Sequence, residues 1–357
     1  MSEGKNKMQA AKAVKTDNAF LNALNGKAHK RPPYWLMRQA GRYLPEYRQL
    51  RAQKGGFLEM AFDPLAACEI TMQPLRRFGM DAAIIFSDIL TVPMALGQHL
   101  EFQQGEGPKL GELDIAKLKF DNSKLAPVYE ALGNVSTALH VEGFNDTALI
   151  GFAGAPWTVA TYMVEGGSSR DFFKTKLMAM QNSEEFSALI DILVESTSSY
   201  LIEQANAGAE ALQIFDSWAG VLDDAGFEKF SIAPIRRIVE NVRAIHAHVP
   251  IIGFPRGATP GNCVKFAKHS GVTALGLGQD IAPDWAASNL QPLLPVQGNL
   301  DPTVLMAGGD ILKSATKNII TALSGGPFVF NLGHGVHKDT PVEHVEQLVK
   351  IIRDFKP

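Results

Sequence analysis

Residues 31–51 read RPPYWLMRQAGRYLPEYRQLR. The stretch holds a short apolar run with the character of a buried strand, Tyr34-Trp35-Leu36-Met37. It then turns through Arg38-Gln39-Ala40-Gly41-Arg42, and Pro45 is placed to open a helix in its first turn. Strand, turn and helix make one β/α unit. Five arginines (Arg31, Arg38, Arg42, Arg48, Arg51) face one acid, Glu46, in a chain whose formal net charge is −3. Arginines beside a glycine at the end of a buried strand suit a clamp for carboxylates or phosphates, because the guanidinium fork engages those anions two bonds at a time. The competing reading is a set of surface arginines lying over a helix.

Outward from this unit the same alternation repeats. Strands are expected at residues 34–37, 82–86, 148–152, 211–215, 251–254, 273–277, 294–296 and 328–331. Helical spacing of apolar residues covers 64–78, 184–207, 232–246, 261–269, 311–323 and 342–355, with Gly79 and Gly208 as stops. A further short helix, capped by Asp17 or Asn18, ends at Gly26. Eight continuous apolar strands separated by helices predict an α/β fold, a single (β/α)8 TIM barrel. The Gly- and Gln-rich segment 97–111, with alternating His99-Leu100-Glu101-Phe102, breaks the rhythm and reads as a small hairpin inserted after the second strand. The polar residues 1–16 read as a flexible N-terminal tail, leaving 17–357 as one catalytic domain.

Composition removes several classes of function. A net charge of −3 with 20% charged residues gives no broad basic face for nucleic acid. Two cysteines, Cys68 and Cys263, make no disulfide framework, and neither lies in a CxxC or HxC pattern that would mark a thiolate zinc site. The sequence shows no secretory core and no apolar run of membrane-spanning length, so a cytoplasmic protein without a membrane partner is expected.

In such a barrel, function belongs at the C-terminal ends of the strands. That rim collects Arg38–Arg42, Ser87-Asp88, Trp157 with Tyr162, Asp216-Ser217-Trp218, Arg256-Gly257, Gln297-Gly298-Asn299 and Gly333-His334-Gly335. Asp88 follows the apolar run AAIIF, so its carboxylate needs partners. It either pairs with Arg38 or Arg42, or accepts N–H bonds from a ligand. Asp216 and Ser217 are adjacent, and strand alternation allows at most one of them to point inward. His334 and Tyr162 each read equally well as structural or active-site groups, and Phe215 and Trp157 as packing residues that double as wall.

Taken in order, WLMRQAGRYLPEYR (35–48), IIFSDIL (84–90), GFAGAPWTVATYMVEGGSS (151–169), IFDSWAG (214–220), GFPRGA (253–258), QGNLDP (297–302) and FNLGHGV (330–336) closely resemble the uroporphyrinogen decarboxylase family, over residues 18–355. The resemblance implies a homodimeric barrel that uses no metal and no organic cofactor. The implied reaction belongs to haem biosynthesis: uroporphyrinogen III loses four acetate carboxyl groups as carbon dioxide and becomes coproporphyrinogen III. Carried over by position, Arg38, Gln39, Ala40, Gly41 and Arg42 match the substrate-binding arginine loop, and Arg51 a further substrate-contacting arginine. Asp88 matches the central aspartate of the cleft; Tyr162, Ser217 and His334 match its other polar contacts, with Phe215 beside them. Asp88, Arg38, Tyr162 and His334 form the candidate catalytic set. One departure is Gly276-Leu277-Gly278-Gln279, where the family commonly has Gly-Leu-Asp-Trp. Rival readings are a related barrel methyltransferase acting on thiols or corrinoids, and a porphyrinogen-binding protein without chemistry.

Overall fold

Alternating hydrophobic strands and amphipathic helices assemble into one curled parallel sheet wrapped by helices. The computed structural model describes residues 18–103 and 107–356; the expected tail, 1–16, lies outside them. Strands β1 (Ala82–Ile84), β4 (Ala148–Gly154), β5 (Ala211–Asp216), β6 (Ile251–Pro255), β7 (Ala274–Gly276), β8 (Val296–Leu300) and β9 (Phe328–Leu332) form a seven-stranded sheet in that order. Every neighbouring pair is parallel. Two further strands, β2 (Leu100–Gln103) and β3 (Gly107–Leu110), pair antiparallel to each other outside the sheet.

The expected first strand, 34–37, is the main correction. Only Tyr34 bridges to Phe330, in parallel sense. Pro32 and Pro33 have no N–H to give a ladder, and side chains take over where backbone pairing stops. The Asn331 Oδ1 accepts from Met37 N–H at 2.9 Å, and the Gln39 Oε1 accepts from Leu36 N–H at 3.1 Å. The segment still lies between the sheet's two edges: Phe330 N–H donates to the Pro33 carbonyl at 2.8 Å, and Asp81 N–H to the Tyr34 carbonyl at 2.9 Å. A second correction concerns 294–296. The strand is Val296–Leu300, because Pro295 cannot donate to a ladder and the pairing begins after it. Gln297, Gly298 and Asn299 therefore sit within β8 rather than beyond it.

Strand alternation divides the core in two. Trp35, Met37, Ala82, Ala148, Ile150, Ala211, Ile252, Phe254, Ala274 and Val329 pack inside the curl. The opposite faces of the strands, with Leu149, Leu212, Ile214 and Leu275 among them, pack against the helices. Inside, the buried Trp35 indole N–H donates to the Gln297 Oε1 at 2.8 Å, and the Gln297 amide donates to the Gln213 Oε1 at 3.1 Å. This chain joins the 34–37 segment, β8 and β5 across the interior. The helix Ala19–Leu24 closes one end with Phe20, Ala23 and Leu24, its start capped by Asn18, whose Oδ1 accepts from Leu21 N–H at 2.9 Å.

Helix limits follow local chemistry. Pro64–Phe78 starts where Asp63 Oδ1 accepts from the N–H groups of Leu65 and Ala66, both at 3.0 Å, and stops at Gly79 in the left-handed conformation (φ 58°). The helix Ser183–Ala207 ends at Gly208. The helix expected to begin at residue 232 runs Ala233–Ile245 and is entered through a π-helical turn, Phe227–Ile232. Cys68 and Cys263 are free thiols. Among the described residues, no helix is long and apolar enough to cross a membrane.

Candidate active site

The five arginines of 31–51 divide by what they bond. Arg31 forms a two-pronged ion pair with Asp81 at 2.8 and 2.9 Å, and Asp81 also accepts from Tyr34 N–H at 2.8 Å. Arg48 donates to the carbonyls of Arg42 and Tyr43, at 2.8 and 3.0 Å. These two hold the backbone. Arg38, Arg42 and Arg51 have no side-chain bond among the described residues, and all three follow the apolar run 34–37.

Arg38 is held in an unusual place. Its φ of +59° is left-handed, a conformation that costs a non-glycine residue about 1–2 kcal/mol. Its side chain runs over Gly335: a Cβ there would lie 2.3 Å from the Arg38 Cδ. Only glycine at 335 leaves the space the guanidinium stem occupies. Gln39 anchors the turn from beneath. Its amide donates to the Ala82 carbonyl at 3.1 Å, its carbonyl accepts the Tyr43 hydroxyl at 2.7 Å, and the side chain is fully buried. The sequence places Gln39 among the substrate-contacting residues; in the structure its side-chain amide bonds the fold, while Ala40 and Gly41 continue the half-buried turn.

Asp88 lies past β1, where the chain leaves the sheet once Phe86 N–H has bonded the Thr71 hydroxyl at 3.0 Å. Its Oδ1 accepts from Leu90 N–H at 2.8 Å, and no ion pair reaches it among the described residues. Burial pushes its carboxyl up to about 6, against the pull of the Leu90 N–H and the Arg38 charge. The expected alternative of a direct pair with Arg38 or Arg42 is not what forms. Arg38 acts on Asp88 only through its field, and Arg42 is exposed, its field falling on Tyr47 and Asp339.

Tyr162 and His334 share this field. Burial and then the Asp88 charge raise the Tyr162 phenol, and Trp218 and Ser168 flank its hydroxyl. Burial, then Arg256, then Arg38, lower the His334 imidazole to about 3. One cluster therefore holds Arg38, Asp88, Tyr162 and His334, contributed by four separate segments of the rim. At the end of β5 the alternation expected from the sequence holds. Asp216 points outward and is fully buried, accepting the hydroxyls of Thr158 and Ser231, both at 2.6 Å. Burial raises this carboxyl to about 6. Ser217, the first residue past the strand, is half-buried. Phe215 stands edge-on to Phe152 and Phe254, at 5.6 and 6.1 Å between ring centres. Arg51 is half-buried in the helix Pro45–Lys54. In the departing loop after β7, Asn299 donates to the carbonyls of Gly278 and Ile281 at 2.8 and 2.6 Å, so β8 fixes that loop while Gln279 stays exposed. Among the described residues, no group of three or more His, Cys, Asp or Glu side chains is placed to hold a metal ion.

The family model described as uroporphyrinogen decarboxylase matches residues 15–355. A protein of that name from Sphingopyxis alaskensis is 50% identical over 338 residues, covering 94% of this chain and 97% of its own. Another, from Rhodospirillum rubrum, is 48% identical over 346 residues, covering 95% and 98%. Among solved structures, a methyltransferase from Methanosarcina mazei superposes with a TM-score of 0.78 at 19% identity, covering 94% of this chain and 97% of that one. At that identity the likeness concerns the fold alone.

Proposed function

The chain belongs to the uroporphyrinogen decarboxylase family, and from that premise we propose how its residues carry the reaction. The substrate, uroporphyrinogen III, presents carboxylate arms around its edge and four pyrrole N–H donors at its centre. The product is coproporphyrinogen III with four carbon dioxide molecules. The observation that carries the assignment of roles is Asp88: a carboxylate with one backbone N–H partner, enclosed enough for its carboxyl to rise to about 6, in the field of Arg38.

An ionised carboxylate only accepts hydrogen bonds, and Asp88 keeps most of its acceptor sites free. The pyrrole N–H groups supply the missing donors, so the burial cost of the charge is offset when substrate binds. Each decarboxylation then begins with a proton added to the pyrrole carbon beside an acetate-bearing one. The ring becomes cationic, the bond to the carboxylate breaks, and its electron pair passes into the ring as carbon dioxide leaves. The exocyclic methylene takes up a proton, the ring carbon gives its proton back, and a methyl group remains. One proton is consumed in total. Asp88, fixed before the charge develops, stabilises the cation; such preorganised groups are worth about 10²–10³ in rate.

Arg38, Arg42 and Arg51 bind the carboxylate arms, and Ala40 and Gly41 shape the turn that presents them. With an imidazole lowered to about 3, His334 is neutral throughout the physiological range and serves as a hydrogen-bonding group rather than an acid. Tyr162, its phenol raised, and Ser217 offer hydroxyl donors to the arms. The same reading takes residues 17–357 as one domain in which the 34–37 segment completes an eight-stranded barrel, with β2 and β3 as an insertion. The bonds of Pro33, Tyr34 and Trp35 to both sheet edges support that closure. The reading also carries the family's homodimeric assembly, a cofactor-free reaction and a cytoplasmic setting. Incubation of the purified protein with uroporphyrinogen III, followed by separation of products by carboxylate number, tests it. Seven- to four-carboxylate species are expected, and unchanged substrate overturns it.

A further inference from the structure

Arg256 is the one rim arginine that neither the arginine loop nor its neighbouring helix accounts for. Five arginines of the described chain are half-buried: Arg31, Arg51, Arg237, Arg243 and Arg256. Three have side-chain partners, namely Asp81 for Arg31, Asp191 for Arg237 and Thr273 for Arg243. Arg51 and Arg256 have none among the described residues. A guanidinium withdrawn from water without an anion is costly, and such groups are normally paired.

Its direction and rigidity are both set by the fold. Ile252 and Phe254 of β6 belong to the inward cluster, and Arg256, the next residue in that alternation, is the first past the strand's C-terminal end. Its backbone is clamped on both sides. Arg256 N–H donates to the Asp216 carbonyl at 3.0 Å, and its own carbonyl accepts from Gly220 N–H at 3.0 Å. The clamp needs glycine at 220, where a Cβ would lie 2.5 Å from the Gly257 carbonyl oxygen. In sheet order, β6 follows β1, β4 and β5, so Arg256 stands four elements from the 34–37 segment that carries Arg38. Its charge nevertheless acts on His334, as Arg38 does from the other side.

We propose that Arg256 binds a substrate carboxylate arm on the wall facing the arginine loop, so that the tetrapyrrole is clamped from two sides with Asp88 between them. The proposal rests on the decarboxylase reading and adds a binding residue to it. A domed macrocycle with acidic arms on all sides gains little from cations on one side only. A second, fixed guanidinium defines how the ring is turned when each acetate arm is presented.

The test compares wild-type protein with Arg256→Gln and Arg256→Lys in steady-state turnover of uroporphyrinogen III, with product separation and a thermal melt of each variant. Losing a charge-assisted bond to a carboxylate is expected to raise KM about 10- to 100-fold in Arg256→Gln. Partly decarboxylated species should accumulate, the melting temperature should stay within about 2 °C, and Arg256→Lys should recover part of the KM loss. A KM within twofold of wild type in Arg256→Gln overturns the proposal. Loss of activity in both variants in step with a lowered melting temperature also overturns it, in favour of a structural role. If wild-type protein itself leaves the substrate unchanged, the decarboxylase reading fails first, and the proposal with it.

Discussion

Replacing Asp88 with asparagine removes one charge while keeping size and shape, and it separates the cost of that charge from its use. The carboxyl rises from an ordinary value of 3.8 to about 6, chiefly through burial. At about 1.4 kcal/mol per tenfold change in the proton equilibrium, ionised Asp88 costs the folded state up to about 3 kcal/mol. The residue retains some exposure, and asparagine also buries an amide, so about 1–3 kcal/mol is the expected gain for Asp88→Asn. The sign follows from proton counts. Between about 4 and 6 the folded state binds more protons here than the unfolded chain, so stability falls as pH rises through that window. Asparagine does not titrate. The variant's advantage should therefore be near zero at pH 4 and full above pH 6. For 357 residues, with an unfolding entropy near 2.1 cal/mol/K per residue, the gain corresponds to a rise in Tm of about 1–4 °C at pH 8. Activity should move the other way, falling about 10²- to 10³-fold, because the central charge is gone and an NH2 group now faces the pyrrole N–H donors. Melting curves at pH 4.5 and 8, with turnover of uroporphyrinogen III, read both quantities. Turnover within threefold of wild type, or a variant less stable than wild type at pH 8, refutes the reasoning.

In the wild type, kcat/KM should fall on the acid side with an apparent pKa near 6, as Asp88 takes a proton and loses its acceptor role, and a flat profile from pH 5 to 8 would contradict this. Gly335→Ala should lower kcat/KM about 10- to 100-fold by displacing the Arg38 stem, which an added Cβ would approach to 2.3 Å, while Tm changes little; unchanged kinetics would show that the position of Arg38 is immaterial. Asp81→Asn should do the reverse. It weakens the Arg31 pair and the Tyr34 N–H bond, costing about 1–2 kcal/mol in denaturant unfolding with kcat within threefold, and a kcat loss without destabilisation would refute the structural role.

Local chemistry made the helices legible: Pro64–Phe78 has Asp63 before it and Gly79 after it, and both act at short range. The 34–37 segment misled because its apolar residues are those of a strand, whereas its pairing depends on Asn331 and Gln39 side chains and on two prolines. The strand Val296–Leu300 starts after Pro295, which has no N–H for the ladder, although Leu294 before it is apolar. At the site, rim position picks out Arg38, Asp88, Tyr162 and His334, and the charge of Arg38 reaches the other three. Composition of the 31–51 stretch could not sort its arginines, since Arg31 is neutralised by Asp81, fifty residues along the chain. For the same reason Arg256 looked ordinary in GFPRGA. It stands out only beside Arg31, Arg237 and Arg243, which are half-buried and have side-chain partners. Gln39 lies between Arg38 and Ala40 in the turn, yet its side chain is held by the distant Ala82 carbonyl.

The most direct measurement counts carbon dioxide released per uroporphyrinogen III by protein first dialysed against a metal chelator, with no cofactor added. Release of four equivalents per substrate, lost in Asp88→Asn, is the predicted result. No release, or release that returns only when a metal or organic cofactor is supplied, would contradict a decarboxylation run by Asp88 and its surrounding arginines.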